Sequence, residues 1–178
     1  MDKQLQTAVF GGGCFWCTEA VFTMLKGVES VLPGYAGGAV PNPTYDQVCN
    51  GNTGHAEVIK IDFDPTQISY QALLEVFFAT HNPTTLNQQG NDIGPQYRST
   101  VLYASIEQKQ QAEQYISEHA ADFHGKIVTT LEPLTEFYVA EDYHKNYYAR
   151  NSSQAYCQVI ISPKLEKFKE KYPELLKP

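Results

Sequence analysis

Two cysteines separated by one helical turn, Cys14 and Cys17, are the residues of this chain whose type and spacing are best suited to chemistry. Cys14 follows three glycines, and an amphipathic helical pattern begins at or just after it, so the sequence predicts that Cys14 lies at a helix N-terminus. Unpaired backbone N–H groups and the positive end of the helix dipole favour a thiolate at such a position. Because the thiolate is the nucleophilic form of cysteine, Cys14 is the predicted nucleophile.

The Cys14-x-x-Cys17 spacing has more than one interpretation. The two thiols are close enough for a disulfide in a first helical turn, which is also how thioredoxin-like disulfide oxidoreductases are built. A non-enzymatic alternative keeps both cysteines as small buried hydrophobes in a module that binds a methionine peptide or a metal. The chain has a single C-x-x-C and scattered histidines, so we expect no metal site.

Three further polar side chains and two aromatic ones are candidates for a site around Cys14. Glu57 opens a strand whose inward face should be apolar, and burial there would raise its pKa and keep it protonated as a proton donor. The alternative is an exposed carboxylate at the end of a strand. Tyr45 and Tyr97 are phenols that either hydrogen-bond a polar substrate atom or pack. Phe15 and Trp16 either belong to the core or wall an apolar slot for a methyl-bearing substrate.

The remaining histidines and cysteines of interest are expected to be structural. His55 and His144 lie in polar segments without ligand spacing, and Cys49 has no partner that the sequence identifies. Four cysteines are too few for a disulfide scaffold, so redox chemistry is the better interpretation of the thiols.

Size and composition limit the classes of protein to consider. The chain has 178 residues, of which 42% are hydrophobic, and it is expected to fold as a single domain over 1–178 with an irregular tail from about 150. A net charge of −7 argues against nucleic acid as a partner. No apolar run reaches membrane-spanning length, and the first residues do not resemble a signal peptide. We expect a cytoplasmic monomer.

The pattern of apolar residues predicts an α+β fold. The expected order is β-α-β-β-α-β-α-β, with helices packed against a mixed sheet and a ferredoxin-like βαββαβ core. Ser69 and Ser105 are the predicted caps of the second and third helices, the latter with Gln108 in a capping box. Loops are expected over 37–54 and 81–97, and helical spacing returns from Pro163 onward.

Four motifs, taken together and in order, give this chain a close resemblance to the class A peptide methionine sulfoxide reductases. The resemblance spans Val9 to Cys157. The motifs are Gly-Cys-Phe-Trp at 13–16, Tyr45 with Gly-His-Ala-Glu at 54–57, Asn-Asp-Ile-Gly-Pro-Gln-Tyr-Arg-Ser at 91–99, and Ala-Glu-Asp-Tyr-His at 140–144.

The resemblance implies a role for each candidate residue. Cys14 would attack the sulfur of a methionine sulfoxide and be left as a sulfenic acid. Glu57 would protonate the sulfoxide oxygen, because the S–O bond breaks readily only when its oxygen leaves as water. The implied substrate-binding residues are Phe15 and Trp16 for the methyl group, Asp92 for the polar side, and Tyr45 and Tyr97 for the oxygen. No cofactor is implied.

The resemblance also implies how the enzyme is recycled. Cys157 matches the resolving cysteine, which would form a disulfide with Cys14 that thioredoxin then reduces. The substrate would be the S-epimer of methionine sulfoxide, free or in oxidised proteins. This chain departs from the family in two ways: it has no recycling cysteine after Cys157, and Cys17 stands where other members often have glycine. Cys17 is therefore an alternative resolving residue.

Overall fold

The computed structural model describes residues 2–178 and contains a six-stranded mixed sheet with helices packed mainly on one face. The strands are β1 (Gln6–Gly11), β2 (Val28–Ala36), β3 (Ala56–Phe63), β4 (Gln88–Gln89), β5 (Asp92–Ile93), β6 (Thr100–Tyr103), β7 (Thr130–Pro133) and β8 (Phe137–Val139). The α-helices are α1 (Phe15–Thr23), α2 (Tyr45–Cys49), α3 (Tyr70–Ala79), α4 (Ile106–His119), α5 (Tyr147–Arg150) and α6 (Ser162–Lys171). No helix within residues 2–178 is long and apolar enough to cross a membrane.

The strand order confirms the ferredoxin-like core. Strands β6, β1, β3 and β2 are neighbours in that order, and every pairing among them is antiparallel. Helices α1 and α3 are the two crossover connections of this βαββαβ unit. Strand β7 adds a parallel neighbour to β6, and β8 adds an antiparallel neighbour to β2. The short β4–β5 hairpin is separate from the main sheet.

The core lies between the sheet and α1 and α3. Side chains alternate along β1, so that Phe10 faces these helices while Val9 faces the other side. The Phe10 ring stacks on Phe77 of α3 with the ring centroids 4.8 Å apart, and it lies 5.7 Å from the Phe22 ring of α1. This packing fixes the start of α1 directly beyond the end of β1, where Cys14 lies.

Helix caps follow the sequence pattern with local differences. Ser69 Oγ accepts a hydrogen bond from Ala72 N at 3.0 Å, which confirms the predicted cap of α3. Ser105 Oγ likewise accepts from Gln108 N at 3.2 Å, but Gln108 Oε1 accepts from Ala104 N rather than from Ser105 N. The segment predicted as a loop over 37–54 contains α2, whose capping box is formed by Thr44 and Gln47.

The C-terminal segment is more regular than the sequence indicates. A helix runs without interruption over 155–171, with a π-helical stretch at Cys157–Ile161 that continues into α6. The helical spacing noted from Pro163 onward is confirmed, because Leu165 and Phe168 are buried against the core. The end of the chain is fastened as well, since Lys26 N donates to Leu175 O at 2.8 Å.

Candidate active site

Cys14 is the N-cap residue of α1. Its backbone is extended, and its carbonyl oxygen accepts the first bond of the helix from Cys17 N at 3.1 Å. The side chain is partly exposed. The glycines before it leave room for this turn: Gly13 has a φ of +93°, and a Cβ on it would lie 2.8 Å from Gln89 Cγ. The predicted position of Cys14 at a helix N-terminus is therefore confirmed.

The Cys14 and Cys17 thiols lie in the first turn of α1, and the interaction between them dominates their ionisation. The interaction with Cys17 raises the pKa of Cys14, and burial and the charge of Glu57 raise it further. The same interaction lowers the pKa of Cys17 to about 7. The expectation that the helix N-terminus alone would favour a Cys14 thiolate is thus wrong for the resting pair. The first thiolate of the pair therefore lies on Cys17, while Cys14 keeps its proton.

Glu57 is the second residue of β3, and only 1% of it is exposed. Its Oε1 accepts a hydrogen bond from Phe15 N at 3.2 Å, in the first turn of α1. Its Oε2 is buried and has no hydrogen-bond partner among residues 2–178. Burial raises the pKa of Glu57 to about 8. Of the two interpretations of this residue, the structure supports the buried carboxyl with a raised pKa rather than the exposed carboxylate.

Tyr45 and Tyr97 bring two phenols to the neighbourhood of this carboxyl. Tyr45 is the first residue of α2, and Tyr97 ends a 3₁₀ turn (Pro95–Tyr97). Burial raises the pKa of each phenol, and the charge of Glu57 raises both further, so each stays a hydrogen-bond donor at neutral pH. Glu141 holds α2 in place, because its two carboxylate oxygens accept from Tyr45 N and from the Tyr35 hydroxyl, both at 3.0 Å.

Phe15 and Trp16 have different environments. Phe15 is fully buried, so it supports the site from the core. Trp16 is half-buried, and its indole N–H donates to His144 Nδ1 at 2.9 Å. The His144 ring also packs against the rings of Phe15 and Tyr45, with centroids 4.9 and 4.5 Å away. His144, interpreted from the sequence as structural, therefore positions three of the predicted site residues.

Two tyrosines of the C-terminal region complete the site, and neither is among the predicted site residues. Tyr147 stacks on Trp16 with ring centroids 3.7 Å apart and planes inclined by 6°. The Tyr156 hydroxyl donates to Asp92 Oδ2 at 3.4 Å and lies 3.8 Å from Cys17 Sγ. The position of Tyr156 next to Cys157 in sequence was the one available signal.

A cleft of about 360 Å³ opens beside Cys14. Asp92, predicted to bind the polar side of a substrate, lines this cleft together with both cysteines of the Cys14-x-x-Cys17 motif. Burial raises the pKa of Asp92. Lys164 of α6 lies at the same cleft and its charge lowers the pKa of Cys17. The cleft thus combines a nucleophile with polar groups that can fix a small substrate.

The other two cysteines differ from expectation in their surroundings. Cys157 is fully buried in the π-helical stretch, where burial and the charge of Cys17 raise its pKa. Cys49, expected to be structural, is exposed at the end of α2, one helical turn after Tyr45.

His55 has a structural role, as predicted, because its Nδ1 accepts from Gly38 N at 3.0 Å and its Nε2 lies 2.7 Å from Val40 O. Within residues 2–178, no group of three or more His, Cys, Asp or Glu side chains is arranged to hold a metal ion.

Comparison with known proteins gives a consistent result. Residues 6–176 match the family model described as "Peptide methionine sulfoxide reductase". The chain is 58% identical to the peptide methionine sulfoxide reductase MsrA of Acinetobacter baumannii (strain AYE) over 173 residues, which cover 97% of this chain and 99% of the relative. It resembles the structure of reduced Mxr1 from Saccharomyces cerevisiae with a TM-score of 0.81 and 32% identity, over 88% of this chain and 95% of the other. It also resembles Mxr1 in a complex with Trx2, with a TM-score of 0.59 and 26% identity, over 80% of this chain and 84% of the other.

Proposed function

This chain belongs to the peptide methionine sulfoxide reductase family, and from that premise we propose that Cys14 is the nucleophile that attacks the sulfur of methionine S-sulfoxide, free or in a polypeptide. One observation carries the proposal. The partly exposed Cys14 is the N-cap of α1, and the N–H of the next residue, Phe15, donates to one oxygen of the buried Glu57. The other oxygen of Glu57 has no hydrogen-bond partner among residues 2–178. A nucleophile and a proton donor are thus fixed to one piece of backbone.

Glu57 is the proposed acid of the reduction step. With its pKa raised to about 8, the carboxyl carries a proton at neutral pH, and its unpaired oxygen is free to approach a sulfoxide oxygen. The Tyr45 and Tyr97 hydroxyls would donate hydrogen bonds to the same oxygen. Three donors around one oxygen stabilise the charge that develops on it as Cys14 attacks the neighbouring sulfur.

The Cys14 thiolate forms when the Cys14 proton passes to Cys17, which is the more acidic thiol of the pair in the resting state. The Cys14 sulfur is then ionised and nucleophilic. A protonated Glu57 favours the Cys14 thiolate, because the negative charge that raises the pKa of Cys14 is then absent. The Cys14 sulfur bonds to the sulfoxide sulfur while the S–O bond breaks, and the oxygen leaves as water with the protons of Cys14 and Glu57. Water then adds to the Cys14 sulfur as methionine leaves, and the proton is returned to Glu57. The thiol is thereby oxidised by two electrons to a sulfenic acid, and the sulfoxide is reduced by two electrons to methionine.

Resolution of the sulfenic acid is proposed to involve both remaining cysteines near the site. Cys17 lies one helical turn from Cys14 and interacts with its thiol, so the Cys17 thiol condenses first, forming a Cys14–Cys17 disulfide and releasing water. Cys157, buried near Cys17, then attacks this disulfide after its helical stretch moves. If Cys157 resolved Cys14 directly, as expected from the sequence, its helical stretch would have to move before the first disulfide forms.

Thioredoxin is the proposed final reductant. Its dithiol would return two electrons and two protons to the disulfide by thiol–disulfide exchange. The structural likeness to Mxr1 in its complex with Trx2 supports this partner. We also propose that the whole chain acts as one catalytic domain, as a monomer in the cytoplasm, a reducing compartment suited to four free thiols. Light scattering of the purified protein tests the monomer.

The experiment for the catalytic proposal measures methionine released from methionine S-sulfoxide with dithiothreitol as reductant. Wild-type protein is expected to turn over the S-epimer and leave the R-epimer, and Cys14→Ser is expected to release no methionine. Full activity of Cys14→Ser, or equal turnover of both epimers, would overturn the assignment. Rapid reduction of insulin without sulfoxide turnover would favour the alternative of a disulfide oxidoreductase.

A further inference from the structure

A second, larger groove of about 650 Å³ continues from the cleft at Cys14. The two share three lining residues, Gln89, Ile160 and Lys164, so they form one continuous depression. The cleft alone is within the size range that holds a small ligand. The groove beyond it therefore provides space for whatever is covalently attached to that ligand.

One wall of the groove is basic. Lys164, Lys167 and Lys171 recur at helical spacing along α6, and they face the groove together. None of the three has an ion-pair partner within the part of the chain that the structure describes. The groove lining contains no Asp or Glu, although the chain has 20 acidic residues and a net charge of −7. The positive potential here is therefore a local reversal of the overall charge.

The other surfaces of the groove are apolar or fixed by hydrogen bonds. Phe123, Phe168 and Tyr172 contribute aromatic surface. The opposite rim is held by Gln89, whose side-chain oxygen accepts from Asn82 N at 2.9 Å while its amide donates to Asn82 O. A groove with a fixed rim, an apolar floor and a row of unpaired lysines is complementary to an extended chain that carries both apolar and acidic side chains.

We propose that this groove binds the polypeptide on one side of an oxidised methionine, and that it favours substrates with acidic and apolar residues there. The proposal rests on the reductase function proposed above, since it gives that activity a preferred class of protein substrate. The oxidised side chain would enter the cleft at Cys14, and the neighbouring residues would lie along α6 with their carboxylates beside Lys167 and Lys171. Free methionine sulfoxide would use the cleft and leave the groove empty.

The experiment compares three peptides with one central methionine S-sulfoxide and flanks of Asp and Leu, Asn and Leu, or Lys and Leu, together with free methionine S-sulfoxide. Dithiothreitol is the reductant. Wild-type protein at low ionic strength is expected to show kcat/KM about fivefold to tenfold higher for the Asp peptide than for the Asn peptide, as expected for two partly exposed charge pairs. The Lys peptide is expected to be the poorest. The preference should shrink as salt is added.

The double variant Lys167→Glu/Lys171→Glu is expected to lose the preference for the Asp peptide and to retain wild-type kcat/KM for free methionine sulfoxide. Lys3→Glu/Lys109→Glu changes the net charge equally at remote exposed positions and should behave as wild type. Equal kcat/KM for the three peptides in wild-type protein would overturn the proposal. The proposal would also be overturned if the double variant kept the peptide preference but was reduced more slowly by thioredoxin. The groove would then be a surface that binds thioredoxin. Absence of turnover of free methionine sulfoxide would instead refute the reductase function itself.

Discussion

The backbone N–H of Phe15 donates to Glu57 Oε1 at 3.2 Å, and this bond joins the start of α1 to the start of β3. Phe15 follows Cys14 directly, so the same peptide segment that presents the sulfur also orients the buried carboxyl. The nucleophile and the carboxyl, which are 43 positions apart in sequence, thereby keep a fixed position relative to each other. Such preorganisation is what a concerted attack and protonation at one sulfoxide requires.

Replacing Glu57 with Gln is expected to slow the reduction step by about 10²–10⁴-fold while changing substrate binding little. The amide keeps the acceptor for Phe15 N but cannot give a proton to the sulfoxide oxygen. The measurement is methionine formed in a single turnover without reductant, with Glu107→Gln on α4 as an exposed control. A single-turnover rate in Glu57→Gln equal to that of wild type would remove Glu57 from the mechanism.

Because Glu57 is the proposed acid, the rate of the reduction step should fall at alkaline pH, as a descending limb of the pH–rate profile. Glu57 is protonated below its pKa of about 8, so the acid step weakens as the pH rises through that value. Single-turnover rates between about pH 6 and pH 10 measure this limb. Glu57→Gln has no proton to lose and should lack it, and a descending limb that is identical in both proteins would contradict the assignment.

Folding stability should depend on pH through Glu57 with a definite sign. Its pKa rises from 4.5 to about 8 on folding, so between these values the folded state binds more protons than the unfolded state. The contribution is fully present below pH 4.5 and is lost as the pH rises to about 8. The loss is ~5 kcal/mol at most. Urea unfolding at about pH 5 and pH 9 should therefore show a smaller decline for Glu57→Gln than for wild type. Parallel declines would show that the carboxyl ionises normally.

The order of disulfide formation follows from the positions of the three thiols. After one equivalent of sulfoxide without reductant, early quenching and peptide mapping should find Cys14–Cys17, and later samples a disulfide that contains Cys157. Cys157→Ser should stop at Cys14–Cys17. Cys17→Ser should accumulate a sulfenic acid on Cys14, because Cys157 is fully buried. Formation of Cys14–Cys157 in Cys17→Ser as fast as the first disulfide in wild type would show that Cys157 resolves directly.

The hydrogen bond between Trp16 and His144 gives a spectroscopic test of positioning. Trp16 is the single tryptophan of the chain, so its fluorescence reports this site alone. His144→Ala removes the acceptor of the indole N–H and the ring that supports Phe15 and Tyr45. We expect a shifted emission maximum, a KM raised several-fold and a loss of about 1–3 kcal/mol of stability. His124→Asn, in an exposed turn, is the control. Unchanged emission and KM in His144→Ala would leave His144 without a positioning role.

Much of the framework could be predicted because its signals are local. The strand that Glu57 opens and the serine cap of α3 each depend on a few neighbouring residues, and both are present in the structure. The Thr44 and Gln47 capping box of α2 is equally local, yet the surrounding Gly, Pro and Asn residues obscured it. The helix that carries Cys157 depends on burial against distant parts of the chain, which periodicity over a short tail does not reveal.

The sequence motifs indicate which residues lie in the candidate site, but they do not indicate how those residues ionise. The motifs identify Cys14, Glu57 and Asp92, and the structure gathers them around one region. The ionisation of Cys14 depends on its interaction with Cys17 and on the charge of Glu57, and the latter follows from how α1 packs against β3. The stacking of Tyr147 on Trp16 likewise arises from tertiary packing, with no sequence pattern that indicates it.

Gly13, directly before the nucleophile, should not tolerate a side chain, and Gly125 is a matched control. Gly13 has a φ of +93°, and an added Cβ would lie 2.8 Å from Gln89 Cγ, in a side chain held by its bonds to Asn82. Gly125 has a φ of +69° with nothing within 4 Å of an added Cβ. Gly125→Ala should therefore lose only the backbone contribution of about 1 kcal/mol and keep full activity. Gly13→Ala should lose about 1–3 kcal/mol and at least tenfold in kcat/KM, because the displaced turn carries Cys14. Thermal unfolding and turnover of free methionine sulfoxide measure both effects, and equal losses in the two variants would mean that contact with Gln89 does not fix the nucleophile.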